Sequence, residues 1–221
     1  MSDNLIPYPF RKNQGLSTNP ASPERQGGLS PALISRWQQG LLSERYARQW
    51  QTFEEMAHFT DLRVMKLLEH FFLSDQGDWT LKTKILQTIR RTCPWPISFQ
   101  VKKGENTQCV NVQDVPLSFE HWPEKVRRPF LTLEESSADN PSLVAMAKEL
   151  WVYGLEKHYP FLPDFTNHLQ WTAALHYYTL NVIDPELAGR SLERDLPHLY
   201  QLTTSVIQQQ AEELTGWLMQ L

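Results

Sequence analysis

Two prolines one residue apart, in Cys93-Pro94-Trp95-Pro96, cut this chain at a point that no helix can cross. A proline inside a helix removes one backbone hydrogen bond and clashes with the preceding turn. Before the break, apolar residues recur at intervals of three and four, the helical period. Ser30 is a fair N-cap with Pro31 at the first helical position, and Leu33, Ile34, Trp37, Leu41 and Leu42 follow, so the spacing predicts a helix over 31–42. Ser43 can cap a second, with Tyr46, Trp50, Phe53 and Ala57 on one stripe. The 61–74 stretch carries Leu62, Met65, Leu68, Phe71 and Phe72, and 80–91 carries Ile85, Leu86 and Ile89. Four short helices with short loops pack naturally as a stack of antiparallel pairs, the solenoid arrangement.

After the break the period changes to two. Ile97, Phe99 and Val101 alternate with polar residues up to Lys102-Lys103-Gly104-Glu105-Asn106-Thr107, and Cys109, Val110 and Val112 return, which predicts a β-hairpin near 97–112. A lone hairpin is marginal in water, so its apolar face must lie on helices. A short irregular or helical connection containing Trp122, Pro123 and Pro129 then leads to a Glu134-Glu135-Ser136-Ser137-Ala138-Asp139 turn. Helical spacing resumes from Asn140-Pro141, with Leu143, Ala147, Leu150, Trp151 and Leu155 on one face, and again from Asp164 or Thr166 to Asp184-Pro185. A last helix is expected from about Ser191 to Gln220, carrying Leu192, Leu196, Leu199, Thr203, Val206, Gln210, Leu214 and Trp217 over close to seven turns. The expected fold is all-α, about seven helices in stacked pairs with one inserted hairpin.

Residues 1–30 hold Pro7, Pro9, Pro20 and Pro23 among Gly, Asn, Ser and Gln, and read as a flexible or extended arm. Its one apolar stretch, Leu5-Ile6-Pro7-Tyr8-Pro9-Phe10, can dock on the body, the preferred reading, or on a partner. The helical domain is 31–221, with 31–115 and 130–221 as candidate subdomains. A length of 221 residues suffices for a real core, and 8 Trp must be buried there or at an interface. A formal charge of -4 lacks the basic excess of a nucleic-acid binder. Without a long apolar run or a recognisable secretion signal the chain is expected to be neither membrane-spanning nor secreted, and two cysteines, Cys93 and Cys109, are too few for a disulfide framework. The expected location is the cytoplasm.

Chemistry-bearing motifs are sparse. No phosphate-binding glycine loop, dinucleotide fingerprint, nucleophile elbow or Cys-x-x-Cys occurs, and neither a catalytic residue nor a cofactor is assigned. Glu55-Met56-Ala57-His58 is the one Glu-x-x-His, a spacing that puts both side chains on one helix face, and Asp195-Leu196-Pro197-His198 is distorted by its proline. His168 and His176 stand about two turns apart, too far to share one ion. Lys102-Lys103 and Arg127-Arg128 are isolated basic doublets, most simply solvated surface.

The Lys157-His158-Tyr159-Pro160-Phe161-Leu162-Pro163-Asp164 corner, followed by Trp171-Thr172-Ala173-Ala174-Leu175-His176-Tyr177-Tyr178, is the most distinctive cluster. It reads as a tight helix-to-helix corner, with a binding groove as the functional alternative. Together with Leu73-Ser74-Asp75, Lys82-Thr83-Lys84-Ile85-Leu86 and the hairpin after it, this cluster resembles the C-terminal helical part of uncharacterised tetratricopeptide-repeat-type proteins of Gram-positive bacteria, over about residues 60–185. The resemblance implies a cytoplasmic helical scaffold without catalytic residues. The functional expectation is therefore a non-enzymatic protein-interaction or scaffolding protein of unidentified partner. The competing classes are a helical metalloenzyme using Glu55 and His58, and a weak nucleic-acid binder using Lys102, Lys103, Arg127 and Arg128. Candidate contact residues are Tyr159, Phe161, Trp171, His176, Tyr177, Leu214 and Trp217. The last helix is expected to pack lengthwise on 141–158 and 166–183; the alternative leaves Leu214, Trp217, Leu218 and Leu221 exposed for homodimerisation or a protein partner.

Overall fold

The computed structural model describes residues 29–219 other than 58, 60 and 94. The 1–28 arm with its apolar stretch, His58 and Leu221 lie outside the described residues. Among the described residues the chain is mostly helical, with ten α-helices rather than about seven, plus one two-stranded antiparallel sheet. It divides into two compact units between Val115 and Pro116.

The N-terminal unit contains α1 (Pro31–Leu41), α2 (Tyr46–Met56), α3 (Leu62–Leu73), α4 (Trp79–Thr92), β1 (Ser98–Lys103) and β2 (Asn106–Asn111). Side-chain caps fix three of the four helix starts by accepting from otherwise unpaired backbone N–H groups. Ser30 Oγ accepts from Leu33 N at 3.2 Å, Asp61 Oδ1 from Arg63 N at 2.8 Å, and Asp78 Oδ1 from Leu81 N at 2.8 Å. Ser43 does not cap α2; its hydroxyl accepts from Arg45 N at 3.3 Å, in the preceding turn. The buried stripe of α2 is Gln49, Thr52, Phe53 and Met56, while Tyr46 is 49% exposed, a rotation away from the expected stripe. Gln49 explains the shift. Its Nε2 donates to Ser43 O and Gln76 O and its Oε1 accepts from Asp78 N, so a polar side chain is buried with its hydrogen bonds made and clamps two loops.

The hairpin pairs Ser98 with Asn111 through to Lys103 with Asn106, leaving a two-residue Gly104-Glu105 connection. Gly104 has φ +57°, which glycine adopts without strain and which the first position of a II′ hairpin turn requires. β1 lays Phe99, Val101 and Lys103 inward; the Phe99 and Phe72 rings are 4.9 Å apart. Lys103, expected as solvated surface, is thus interior at 2% exposure, with Nζ donating to Thr83 Oγ1 at 3.0 Å. Lys82 on α4 is fully buried beside it. Its ammonium donates to Phe72 O at 3.0 Å, Ser74 O at 2.5 Å and Lys102 O at 2.7 Å. Three donors therefore meet three carbonyls, closing the open end of α3 and fastening β1 to it.

The C-terminal unit contains α5 (Glu124–Ser136), α6 (Pro141–His158), α7 (His168–Ile183), α8 (Pro185–Glu193), α9 (Asp195–Tyr200) and α10 (Thr204–Met219). The expected connection is largely α5, and Glu134 and Glu135 lie in its last turn, not in a loop. Pro129 sits inside this helix at a cost of about 3 kcal/mol. Burial of Val126, Phe130 and Leu133, at roughly 1.5–3 kcal/mol per side chain, exceeds it. The expected long final helix is also corrected: it is three helices. Arg194 (φ −122°, ψ −57°) breaks α8 from α9, and Gln201 takes the left-handed conformation at φ 54°, ending α9 after Tyr200. Thr203 Oγ1 then accepts from Val206 N at 3.4 Å at the start of α10. α10 packs on α7 and α6.

Candidate functional site: an apolar cleft in the N-terminal unit

Most of the sequence-derived contact residues are interior. Trp171 (2% exposed) and Trp217 (8%) join Trp151 and Phe165 in a nest of four rings whose centroids lie 5.1–6.1 Å apart in every pairing. Leu214 is fully buried and Leu218 nearly so, which corrects the reading of Leu214, Trp217 and Leu218 as an exposed apolar end. The nest is closed below by Lys157 and His158, the last turn of α6. Lys157 Nζ donates to Leu218 O at 2.9 Å, and the His158 ring stacks on Trp217 while its Nε2 donates to Trp217 O. Cationic and N–H donors thus satisfy the carbonyls that end α10. Tyr159 is half-buried, edge-on to Trp122 at 5.7 Å, and Phe161 is half-buried with its N–H on His158 O. Tyr177 packs between the two apolar clusters of the unit.

His176 belongs to a polar chain, not to a groove. Its Nδ1 lies 2.9 Å from Tyr200 Oη, which lies 3.0 Å from Ser136 Oγ. Burial pulls His176 down to about 4 and pushes Tyr200 up to about 12, so both are neutral near pH 7. Ser136 Oγ donates to Leu133 O at 3.0 Å, so the tyrosine hydroxyl donates to the serine and accepts from the imidazole Nδ1–H. In the N-terminal unit Lys82 is lowered to about 8 by burial, and Lys103 falls well below the ordinary lysine value, chiefly by burial and then by facing Lys82. The alternation Phe99, Val101, Lys103 already put this lysine on the inward face of β1, and Lys82 lies one turn before Ile85 and Leu86 on α4; those spacings were the available signals.

Of the residues of the alternative functions, Glu55, Lys102, Lys103 and Arg127 have partners within the fold, and Arg128 is exposed. Glu55 accepts from Arg36 Nη2 at 2.8 Å and from Trp37 Nε1 at 3.2 Å. Among the described residues no group of three His, Cys, Asp or Glu side chains is placed to hold a metal. Lys102 pairs with Asp75 at 2.9 Å, and Arg127 Nε donates to Trp122 O. Cys93 is buried and Cys109 exposed, both as free thiols, and no helix among the described residues is long and apolar enough to cross a membrane.

A cleft remains among α2, α3 and α4. The last turn of α2 (Phe53, Met56) and the following Ala57 and Phe59, the α3 face (Val64, Met65, Leu68), the last turn of α4 (Thr88, Ile89, Thr92) and Cys93 and Ile97 line a small pocket of about 70 Å³. The polar groups in this wall are hydrogen-bonded. Thr88 Oγ1 donates to Lys84 O and Thr92 Oγ1 to Thr88 O, which leaves their methyl groups for the cleft. Asp61 is gripped by Arg63, Nε to Oδ1 at 3.0 Å and Nη2 to Oδ2 at 2.7 Å, and these hydrogen bonds hold its carboxyl below the usual carboxylate range. An apolar, partly aromatic wall with its few polar groups satisfied suits an apolar occupant. No protein-family model matches the chain, and neither a curated protein nor a solved structure matches it.

Proposed function

We propose that the protein is a non-enzymatic interaction or scaffolding protein, and that its contact is the N-terminal cleft, which receives an apolar side chain of a protein partner. The cleft carries this reading, because it is a small, mostly apolar pocket reaching the core, whose Thr88 and Thr92 hydroxyls and Asp61 carboxylate are already paired. A charged or strongly polar ligand would find no compensating group in that wall and would lose its hydration. The groups whose protonation is most displaced, Lys82, Lys103, His176 and Tyr200, are engaged in hydrogen bonds that hold the fold, which favours interaction over catalysis. Packing of consecutive helices, α1 on α2 and α6 on α7, and the resemblance to tetratricopeptide-repeat-type proteins support the scaffolding side.

Selection of displayed peptides on the full chain tests it. Enriched sequences should carry two or more apolar or aromatic residues without a required charge. Their binding should weaken at least tenfold in Ala57→Arg, which changes an exposed lining residue and leaves the core intact. Enrichment of charged sequences, or binding indifferent to Ala57→Arg, would overturn the proposal.

A further inference from the structure

We propose that Met56, Met65 and Cys93 form a binding site for a soft monovalent metal ion, Cu(I), in the N-terminal cleft; the site goes beyond the partner reading and does not rest on it. The chain has five methionines and two cysteines, and three of these sulfur-bearing residues line this one pocket. The topology brings them together. Met56 ends α2, Met65 lies in the first turn of α3 just past the short connection between these helices, and Cys93 caps the end of α4. A pocket of about 70 Å³ equals a sphere about 2.6 Å in radius, so its walls are close enough for side chains on different helices to reach one ion. Methionine, with three rotatable bonds, turns its thioether inward at little cost, and Cys93, whose N–H is held on Ile89 O at 2.7 Å, provides the fixed ligand.

The rest of the wall selects the metal. Thiolate and thioether are soft donors that favour Cu(I), whereas Mg²⁺ and Ca²⁺ need oxygen ligands and Zn²⁺ draws on thiolate, imidazole and carboxylate. Here the oxygens are taken: the Thr88 and Thr92 hydroxyls donate to helix carbonyls, and Asp61 is gripped by Arg63. Phe53 and Phe59 extend an apolar wall that disfavours Cu(II), which takes nitrogen and oxygen ligands. Cu(I) on a thiolate is neutral as a pair, so it escapes the penalty that bars a charged ligand. On binding, the Cys93 S–H bond breaks, an Sγ–Cu bond forms, the proton leaves to solvent, and no electron is transferred. The thiol gives up its 3.7 Å contact with Trp95 O, and Gln113 Nε2 still donates to that carbonyl at 3.1 Å. An ion and a partner's side chain exclude each other in so small a pocket, so the metal-free chain is the form that takes the partner.

The full chain with Cys109→Ser, which removes the exposed second thiol, provides the test. Titrated without oxygen against the coloured Cu(I)–bicinchoninate complex, it should withdraw about one equivalent of copper, and Cys93→Ser should weaken that binding about a hundredfold. A buried cysteine also serves packing, so the double variant M56L/M65L, apolar and close in volume, is measured beside it and should weaken binding about tenfold. Copper X-ray absorption of the loaded chain should show sulfur neighbours alone. Failure to take copper from the probe, an affinity unchanged by M56L/M65L, or nitrogen and oxygen in the copper shell would overturn the proposal.

Discussion

The two units solve the same problem, closing helix ends over a core, with opposite materials. The N-terminal unit fastens its seams with buried polar side chains: Gln49 joins two loops, and Lys82 ties the end of α3 to β1. The C-terminal unit fills its centre with four mutually packed aromatic rings and keeps its donors at the edge, on the last carbonyls of α10. The pocket lies in the N-terminal unit, lined by residues of α2, α3 and α4. Interlocking rings fill the space between helices at the centre of the C-terminal unit.

Breaking the aromatic unit should have the largest effect. Trp217→Ala should lower stability by about 3–5 kcal/mol and Leu214→Ala by about 2–5 kcal/mol in urea unfolding, a large share of a domain's total. The oligomeric state should stay unchanged. A loss below about 1 kcal/mol accompanied by loss of self-association would restore the interface reading.

Acid and alkali should separate the units. His176 is lowered from 6.5 to about 4, so between those values the unfolded chain binds more protons than the folded one. Stability therefore is fully present above pH 6.5 and falls by up to about 3 kcal/mol as pH drops towards 4. Lys82 is lowered from 10.5 to about 8, so the same rule puts its window in alkali. Stability of the N-terminal unit should rise by up to about 3 kcal/mol from pH 8 to 10.5, with Lys103 adding in the same direction. Urea unfolding followed across both windows checks the signs. His176→Phe should flatten the acid limb only, and Lys103→Met should reduce the alkaline rise only.

Removing the Lys82 ammonium should cost about 2–3 kcal/mol in Lys82→Met, because three carbonyls lose their donors while the apolar stem is kept. Hydrogen exchange should then speed up first in β1. The smallest expected effect is Gly104→Ala, about 1 kcal/mol, from forcing a side chain into φ +57°.

Periodicity made most helices and the hairpin legible, because those patterns record burial directly. The Asn140-Pro141 start gave α6, and the alternation through Phe99 and Val101 gave β1. What escaped were places where tertiary contacts outweigh local rules. Pro129 hid α5, since a proline signals a break unless the buried stripe around it outweighs the loss. Gln201 hid the end of α9, since glutamine carries no sign of the left-handed conformation it adopts. The cleft was invisible for a related reason. Its lining comes from the last turns of α2 and α4, one face of α3, the α2–α3 connection, Cys93 and Ile97, and every one of those residues reads locally as an ordinary core or surface position.

Amide hydrogen exchange of the full chain, with and without a saturating apolar peptide selected on it, tests the interaction cleft most directly. The account predicts added protection confined to residues 53–68 and 88–97. Protection confined to residues 116–219, around Tyr159, Phe161 and Tyr177, would contradict it and place the contact in the C-terminal unit.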